Sequence, residues 1–289
     1  MAVSLLTALI ALGLLHMAPQ LAHWRGDGGF RRWVAQLNDI AGPARVAITL
    51  GVPVVVCLLV MGLIGWMPGS DVLRLIFSLV VLLYCFGPHA FEADLEAILK
   101  AADQPAREAA AQALSDDGDA VSWNAIALGE AIAYAALRRR FGVLLWFFLL
   151  GPAGALLYRL AQTLGRDPSL RLDAQGRSAA HAFANIADWL PAQLMVFTLA
   201  LVGHWDAVIG AWKRWHQQQS PHGWYVEGPG FLGAAARADV QVDIEAGDGY
   251  AEERSDPIAE LIRLRGTLLR ALLAWLSLVA VMLIAGWMS

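Results

Sequence analysis

A chain of 289 residues with 58% apolar and only 16% charged residues lies far from the soluble balance of about 45–50% apolar and 25% charged, and its mean hydropathy is +0.52. That composition argues against a water-soluble globule and makes lipid the expected solvent. The formal charge of -4 comes from acids crowded into loops and arginines set beside apolar runs, a pattern that speaks against nucleic acid as a partner.

The first apolar run, Ala2 to Met17, has no lysine or arginine ahead of it and no clean small-x-small site after it, so it reads as a retained helix rather than a removed leader. Arg25, Arg31, Arg32 and Arg45 follow, with Trp24, Phe30 and Trp33 among them, as suits a segment at the lipid headgroups. Val46 to Met67 is uncharged and long enough to cross with some tilt. Pro68 and Gly69 make a turn, and Val72 to Phe86 carries the chain back, with Arg74 close enough to the end to extend its stem to the interface. Cys57 and Cys85 lie inside these apolar runs and read as small buried hydrophobes.

Residues 89–122 change character, with acids outnumbering Lys100 and Arg107, and read as a water-exposed helical excursion. Glu92, Glu96 and Lys100 share a helix face, which favours a solvated ion-paired surface over a metal site. Ser115 to Asp119 resembles half a calcium loop but lacks the glutamate expected at its twelfth position. Trp123 to Leu137 is apolar apart from Asn124 and Glu130 and short for a span, so an interfacial, a re-entrant and a buried helix all remain open. Glu130 needs a partner or water in any of them, which makes it a functional candidate.

Phe141 to Leu164 follows Arg138, Arg139 and Arg140 and reads as a membrane helix guarded by those arginines. Gly151, Pro152 and Gly154 interrupt it and permit a bend or a close helix approach. It delivers Tyr158, Arg159, Gln162 and Thr163 where the apolar run ends. A polar region then carries Arg166, Asp167, Arg171, Asp173, Arg177, His181, Asn185 and Asp188. Trp189 to Gly203 reads as a further span with Pro191 in its first turn, and Trp205, Trp212 and Trp215 as an interfacial belt after it. Residues 213–266 form the longest hydrophilic region, expected to be an ordered loop. Asp256 and Pro257 open the helix that becomes the last span, Thr267 to Trp287.

The expected fold is all-α: a polytopic integral membrane helical bundle of about five or six spans plus amphipathic or re-entrant helices. It reads as one domain over 1–289, with the 89–122 excursion and the 213–266 loop as its two larger hydrophilic parts. With the amino terminus outside, the charge rule is met except that the arginines between 159 and 177 fall outside, against the rule.

The stretch RFGVLLWFFLLGPAGALLYRLAQTL, with the later HAFANIADWLPAQL, resembles the AmpE family of inner-membrane proteins associated with beta-lactamase regulation. That family is similar to the wider CobD/CbiB group, membrane enzymes that join an amino-alcohol unit to a corrin side chain by forming an amide. In this chain Gly154 and Ala155 keep the group's small pair, Tyr158 and Arg159 its tyrosine and basic residue, and Thr163 and Leu164 its threonine-leucine. Gln162 stands in place of an asparagine and Gly165 in place of an aspartate. Pro191 and Ala192 match the second motif, Asp188 lies near its asparagine, and Gln193 replaces its arginine. Glu130 looks retained.

Loss of these charge-bearing positions turns the expectation toward a regulatory or sensory protein of the bacterial inner membrane, binding an anionic cell-wall-related metabolite and modulating beta-lactamase induction. The alternative is a membrane amide-forming ligase or transferase related to adenosylcobinamide-phosphate synthase. Such an enzyme needs an activated carboxylate, hence Mg2+ and a nucleotide or phosphorylated substrate. The ligand-binding set expected at the ends of two spans is Glu130, Tyr158, Arg159, Thr163, Arg166, Asn185 and Asp188, because arginines recognise phosphate and carboxylate while the carboxylates hold a metal or a proton. Expected partners are the lipid bilayer, an anionic small molecule, and a membrane protein or a second copy of the chain.

Overall fold

The computed structural model describes residues 2–17, 26–87, 91–115, 120–218, 228–245 and 256–285. Every regular element among them is helical. In chain order they are α1 (Ala2–Met17), α2 (Gly28–Gln36), α3 (Gly42–Gly65), α4 (Ser70–Cys85), α5 (Phe91–Lys100), α6 (Gln104–Ala111), a 3-10 turn (Gln112–Leu114) and α7 (Ala125–Ala136). A π-helical turn (Leu137–Phe141) leads into α8 (Gly142–Arg166), followed by α9 (Ala174–Val202), α10 (Trp205–Gln218), α11 (Gly230–Glu245) and α12 (Pro257–Ile284). Among the described residues four helical stretches, Gly42–Gly65, Ala125–Arg166, Ala174–Val202 and Pro257–Ile284, are by length and composition apolar enough to cross a membrane. The chain is an all-α, multi-pass membrane bundle. Val55, Val56, Leu58, Leu59 and Leu63 of α3 are exposed apolar side chains, which lipid covers at no cost.

The chain divides into two compact units. The first comprises residues 1–90, 142–187 and 276–289, and the second 91–141 and 188–275.

In the first unit α8 packs against α1, α3 and α4. At one end Phe30, Val34, Val46, Leu50, Leu160, Ala161, Leu164, Leu170 and Ala180 form a core that joins α2, the start of α3, the end of α8 and the start of α9. α8 is not the straight rod its composition suggests. Gly151 has φ 68° and ψ -159°, a backbone state that favours glycine, and Pro152 supplies the next arm with a first residue that needs no hydrogen-bond acceptor. The chain folds back there. A Cβ on Gly142 would strike the Tyr158 ring, and one on Gly154 would lie 2.5 Å from the carbonyl oxygen of Trp146. In a straight helix residues 142 and 158 would be about 24 Å apart.

Pro191 does not open a helix. It lies inside α9, which begins at Ala174, because the alanine-rich stretch up to Ala187 continues the same helix rather than forming a polar connection. A proline within a helix removes the N–H that would bond to the carbonyl four residues earlier. Here that carbonyl, of Ala187, accepts the indole N–H of Trp146 at 3.0 Å. The same device recurs in α3: Pro53 leaves the carbonyl of Thr49 free, and Trp33 donates to it at 3.2 Å. Trp33 thus ties α2 to α3. Trp24, expected beside it at the headgroups, is outside the described residues.

In the second unit α11 packs against α7 and α10, and α5 against α6. α7 is a buried helix, capped by the Asn124 side chain accepting from the Ala127 N–H at 2.8 Å, with Leu128, Ile132, Ala135 and Ala136 fully buried. That selects the buried alternative for this short apolar stretch. α12 starts as expected, with the Asp256 side chain accepting the Ile258 N–H ahead of the final helix. Residues 230–245 of the long hydrophilic region are helical.

Candidate functional site

A buried polar group of the first unit is built on the last turns of α8. Gln162 and Arg166 are four residues apart and so share a helix face. The Arg166 Nε donates to Gln162 Oε1 at 2.7 Å and its Nη2 to Asn185 Oδ1 of α9 at 2.9 Å, while Gln162 Nε2 donates to the Ala184 carbonyl at 3.2 Å. Arg166, Gln162 and Asn185 are 8%, 5% and 2% exposed, so a guanidinium is held by side-chain amides in a low-dielectric setting. Gly165 makes this possible. A Cβ there would lie 2.8 Å from the Ala180 carbonyl and 2.9 Å from the Ala184 Cβ, so the aspartate of the resembling group has no room in this helix pair.

Arg159 reaches the other way. Its Nη2 donates to Asp27 Oδ2 at 2.8 Å, and its guanidinium lies flat against Gly87, where a Cβ would come within 2.9 Å and where φ is 74°. Asp27 was not among the expected site residues; its distance in sequence from Arg159 hid the pair. Tyr158 is buried against Gly142, and the Thr163 hydroxyl donates to the Arg159 carbonyl at 3.1 Å. Those two therefore shape and brace α8.

A polar clasp closes the same end. Arg31 pairs with Asp167 at 2.8 Å and donates to the Ser169 hydroxyl at 2.9 Å, and Arg177 donates to the carbonyls of Asp167 and Leu170. Asp173 accepts the Gly42 N–H at 3.1 Å and the Gly176 N–H at 3.3 Å, tying the start of α3 to the start of α9. The Gly42 N–H, chiefly, holds the Asp173 carboxyl below its ordinary range, with the Gly176 N–H and the nearby Arg45 charge adding to the effect against a partial desolvation.

Glu130 and Asp188 belong to the second unit, and each meets an arginine. Glu130 accepts from Arg237 at 2.6 Å, and Asp188, fully buried, has Arg138 at 3.7 Å. Arg138, Arg139 and Arg140 do not guard an interface as the sequence suggested. They are buried on the π-helical turn, where Arg139 pairs with Asp94 and donates to the Ala113 carbonyl, and Arg140 pairs with Glu92 at 2.9 Å. Arg265 reaches Glu92 as well, at 3.0 Å. Glu92 is thus an ion-pair hub, while Glu96 keeps the expected pair with Lys100 at 2.9 Å. Glu92 and Asp94 of the excursion are thus counter-charges of that arginine triplet.

Among the described residues one set of side chains converges as metal ligands might: His204, Asp239 and Asp243 of the second unit, with ligand atoms within 4.8 Å of one another. Arg263 lies on both carboxylates, at 3.0 Å from Asp239 and 2.5 Å from Asp243, and also on Glu260. A guanidinium already engages both carboxylates of this cluster, and Mg2+ favours an all-oxygen shell. In the first unit Asp27, Asp167 and Asp173 are each engaged by an arginine or backbone N–H groups. The described residues therefore do not fit the expected Mg2+.

The sequence matches the family described as CobD/Cbib protein over residues 16–229. It is 27% identical over 259 residues to the "Cobalamin biosynthesis protein CobD" of Chromobacterium violaceum, a match covering 83% of this chain and 81% of that protein. No solved structure matches the chain. The expectation of a regulator of beta-lactamase induction is overturned by these matches, which point to cobalamin biosynthesis and so to the alternative. The missing charges that suggested a regulator have a local cause at Gly165, where helix packing excludes an acid, and at Gln193, which accepts from Trp212 Nε1 at 2.8 Å and contacts His216 at 3.3 Å. For the resemblance at Phe141 to Leu164 the matches show the wider group, and the chain belongs to the CobD/Cbib protein family.

Proposed function

We propose that this protein is an inner-membrane enzyme that forms an amide between a corrinoid carboxylate and an amino-alcohol unit, in the manner of adenosylcobinamide-phosphate synthase. The observation that carries the proposal is the buried Arg166, held by Gln162 and Asn185 across two helices, in a chain of this family. Amide formation needs a carboxylate first activated, by a nucleoside triphosphate, as an acyl phosphate. The C–N bond then forms as the C–O bond to phosphate breaks, and the amine gives up a proton. Charge builds on the carbonyl and phosphate oxygens, and a fixed guanidinium in a dry setting stabilises that charge. Arg166 and Asn185 are assigned to those oxygens, and Arg159, steered by Asp27, to the phosphate of the second substrate. Tyr158 and Thr163 keep α8 in shape.

The test is an assay of the detergent-purified protein with a corrinoid acid, an amino-alcohol phosphate, a nucleoside triphosphate and magnesium, read by mass spectrometry. The expected product has the mass of both substrates less one water, and Arg166→Ala abolishes it while the protein remains folded. Absence of product from a folded native chain, with a CobD homologue active in the same assay, overturns the assignment.

A further inference from the structure

We infer that residues 142–166 form a re-entrant hairpin whose bend lies among the acyl chains of one leaflet, so that the chain enters and leaves the membrane here on one side. The geometry starts at Gly151, whose left-handed φ ends the first arm, and Pro152, which begins the second. The arms stay close: the Tyr158 ring fills the space beside Gly142, and Gly154 abuts the Trp146 carbonyl. The first arm, 142–150, rises about 12 Å and the second, 152–166, about 21 Å, at 1.5 Å per residue. Measured from Gly142, neither arm reaches across a hydrocarbon core of about 30 Å, and the helical run that precedes Gly142 carries Arg138, Arg139 and Arg140.

The bend is apolar and uncovered. Leu149 and Leu150 are 49% and 57% exposed, while Val143, Leu144, Phe147 and Phe148 of the same arm are buried. Exposed leucines at the point of a hairpin suit acyl chains. A break in a helix is costly in lipid because it frees backbone donors, and Pro152 lowers that cost by having no N–H to satisfy. The opposite end of the second arm carries Arg159 and Arg166 and packs against the start of α3, within the polar clasp of Arg31, Asp167 and Asp173. A hairpin removes the breach of the charge rule that a straight span creates at the arginines between 159 and 177, while every later span then reverses its direction. The arginines between 159 and 177 stay on the side from which the chain entered at Gly142, instead of being carried across.

Spin labels on the full-length protein in lipid vesicles test this, using Ser169→Cys with either Leu145→Cys or Leu150→Cys. In a straight helix position 169 is farther from 145 than from 150. In the hairpin the order reverses, and the 145–169 distance is the shorter. The label at 150 is expected to relax with oxygen and to be protected from a water-soluble nickel chelate. The inference fails if the distances keep the straight-helix order, and equally if nickel reaches the bend. Leu149→Cys replaces Leu150→Cys should that variant not fold, and the same outcomes apply.

Discussion

Trp146 donates its indole N–H to the Ala187 carbonyl, the carbonyl that Pro191 leaves without a helical partner. A side chain from one arm of α8 thereby completes the backbone of α9 just beyond Asn185. Trp146→Phe keeps the ring and removes the donor, leaving the carbonyl unpaired in an apolar setting. The expected loss is about 1–3 kcal/mol of unfolding free energy. Pro191→Ala restores a helical N–H to the same carbonyl, so in that background Trp146→Phe costs much less. Equilibrium unfolding in mild detergent of the two single variants and the double variant measures the coupling. Equal losses in both backgrounds would show that the bond contributes nothing.

Asp173 gives the fold a pH dependence of known sign. Its carboxyl is held below the ordinary range, mainly by the Gly42 N–H. The charged form is therefore favoured in the folded state, and the stabilisation is complete above the unfolded value of about 3.9 and lost as pH falls through the lower folded value. Melting midpoints followed from about pH 6 down to pH 3 should drop for the native chain. Asp173→Asn cannot titrate, so its midpoint should start lower and fall less steeply. Parallel curves would mean that the clasp between α3 and α9 does not depend on this charge.

Much of this was legible in the residues. The uncharged run before Pro68, the turn at Gly69 and the Asp256 start of α12 follow from length, hydropathy and capping chemistry, which are local. Gly151, Pro152 and Gly154 marked the bend in α8, but not its sharpness, because whether a break becomes a gentle kink or a reversal depends on what packs beside it. Pro191 misled for the same reason. A proline reads equally well in a first turn, and only a donor from another helix, Trp146, lets it sit inside one. At the site Arg159, Arg166 and Asn185 stood out as polar residues ending apolar runs. Asp27 did not, since an ion pair across 132 positions leaves no periodic trace. The arginines at 138–140 were misread because a charged triplet before an apolar run looks the same whether water or buried carboxylates receive it.

Arg166 binds two amides with two different nitrogens, a geometry that lysine cannot copy. Arg166→Lys keeps the charge but replaces two spaced donor nitrogens with a single ammonium, which moves the cation from the position set by Gln162 and Asn185. If Arg166 holds a substrate oxygen, KM for the anionic substrate should rise about tenfold, equivalent to about 1.4 kcal/mol, with a smaller change in melting midpoint. Asn185→Ala should add little in the lysine background, because the contact is already broken. Steady-state amide formation at varied substrate concentration is the measurement, and an unchanged KM in a folded lysine variant would remove Arg166 from the site.

Gly165 decides whether the missing acid of the wider group could be put back. A Cβ at this position meets the Ala180 carbonyl and the Ala184 Cβ at under 3.0 Å, and neither belongs to a flexible side-chain end that can swing aside. Even Gly165→Ala must therefore push α8 and α9 apart, at a cost of about 1–3 kcal/mol for overpacking. Gly165→Asp adds an unpaired carboxylate to the same collision and should lose more. The separation also stretches the Arg166–Asn185 bond at 2.9 Å, so activity should fall in both variants faster than stability does. Paired measurements of unfolding free energy and amide formation check this. If Gly165→Asp were instead as stable as the native chain and more active, the two helices would be free to separate, and the glycine would be a substitution without structural consequence.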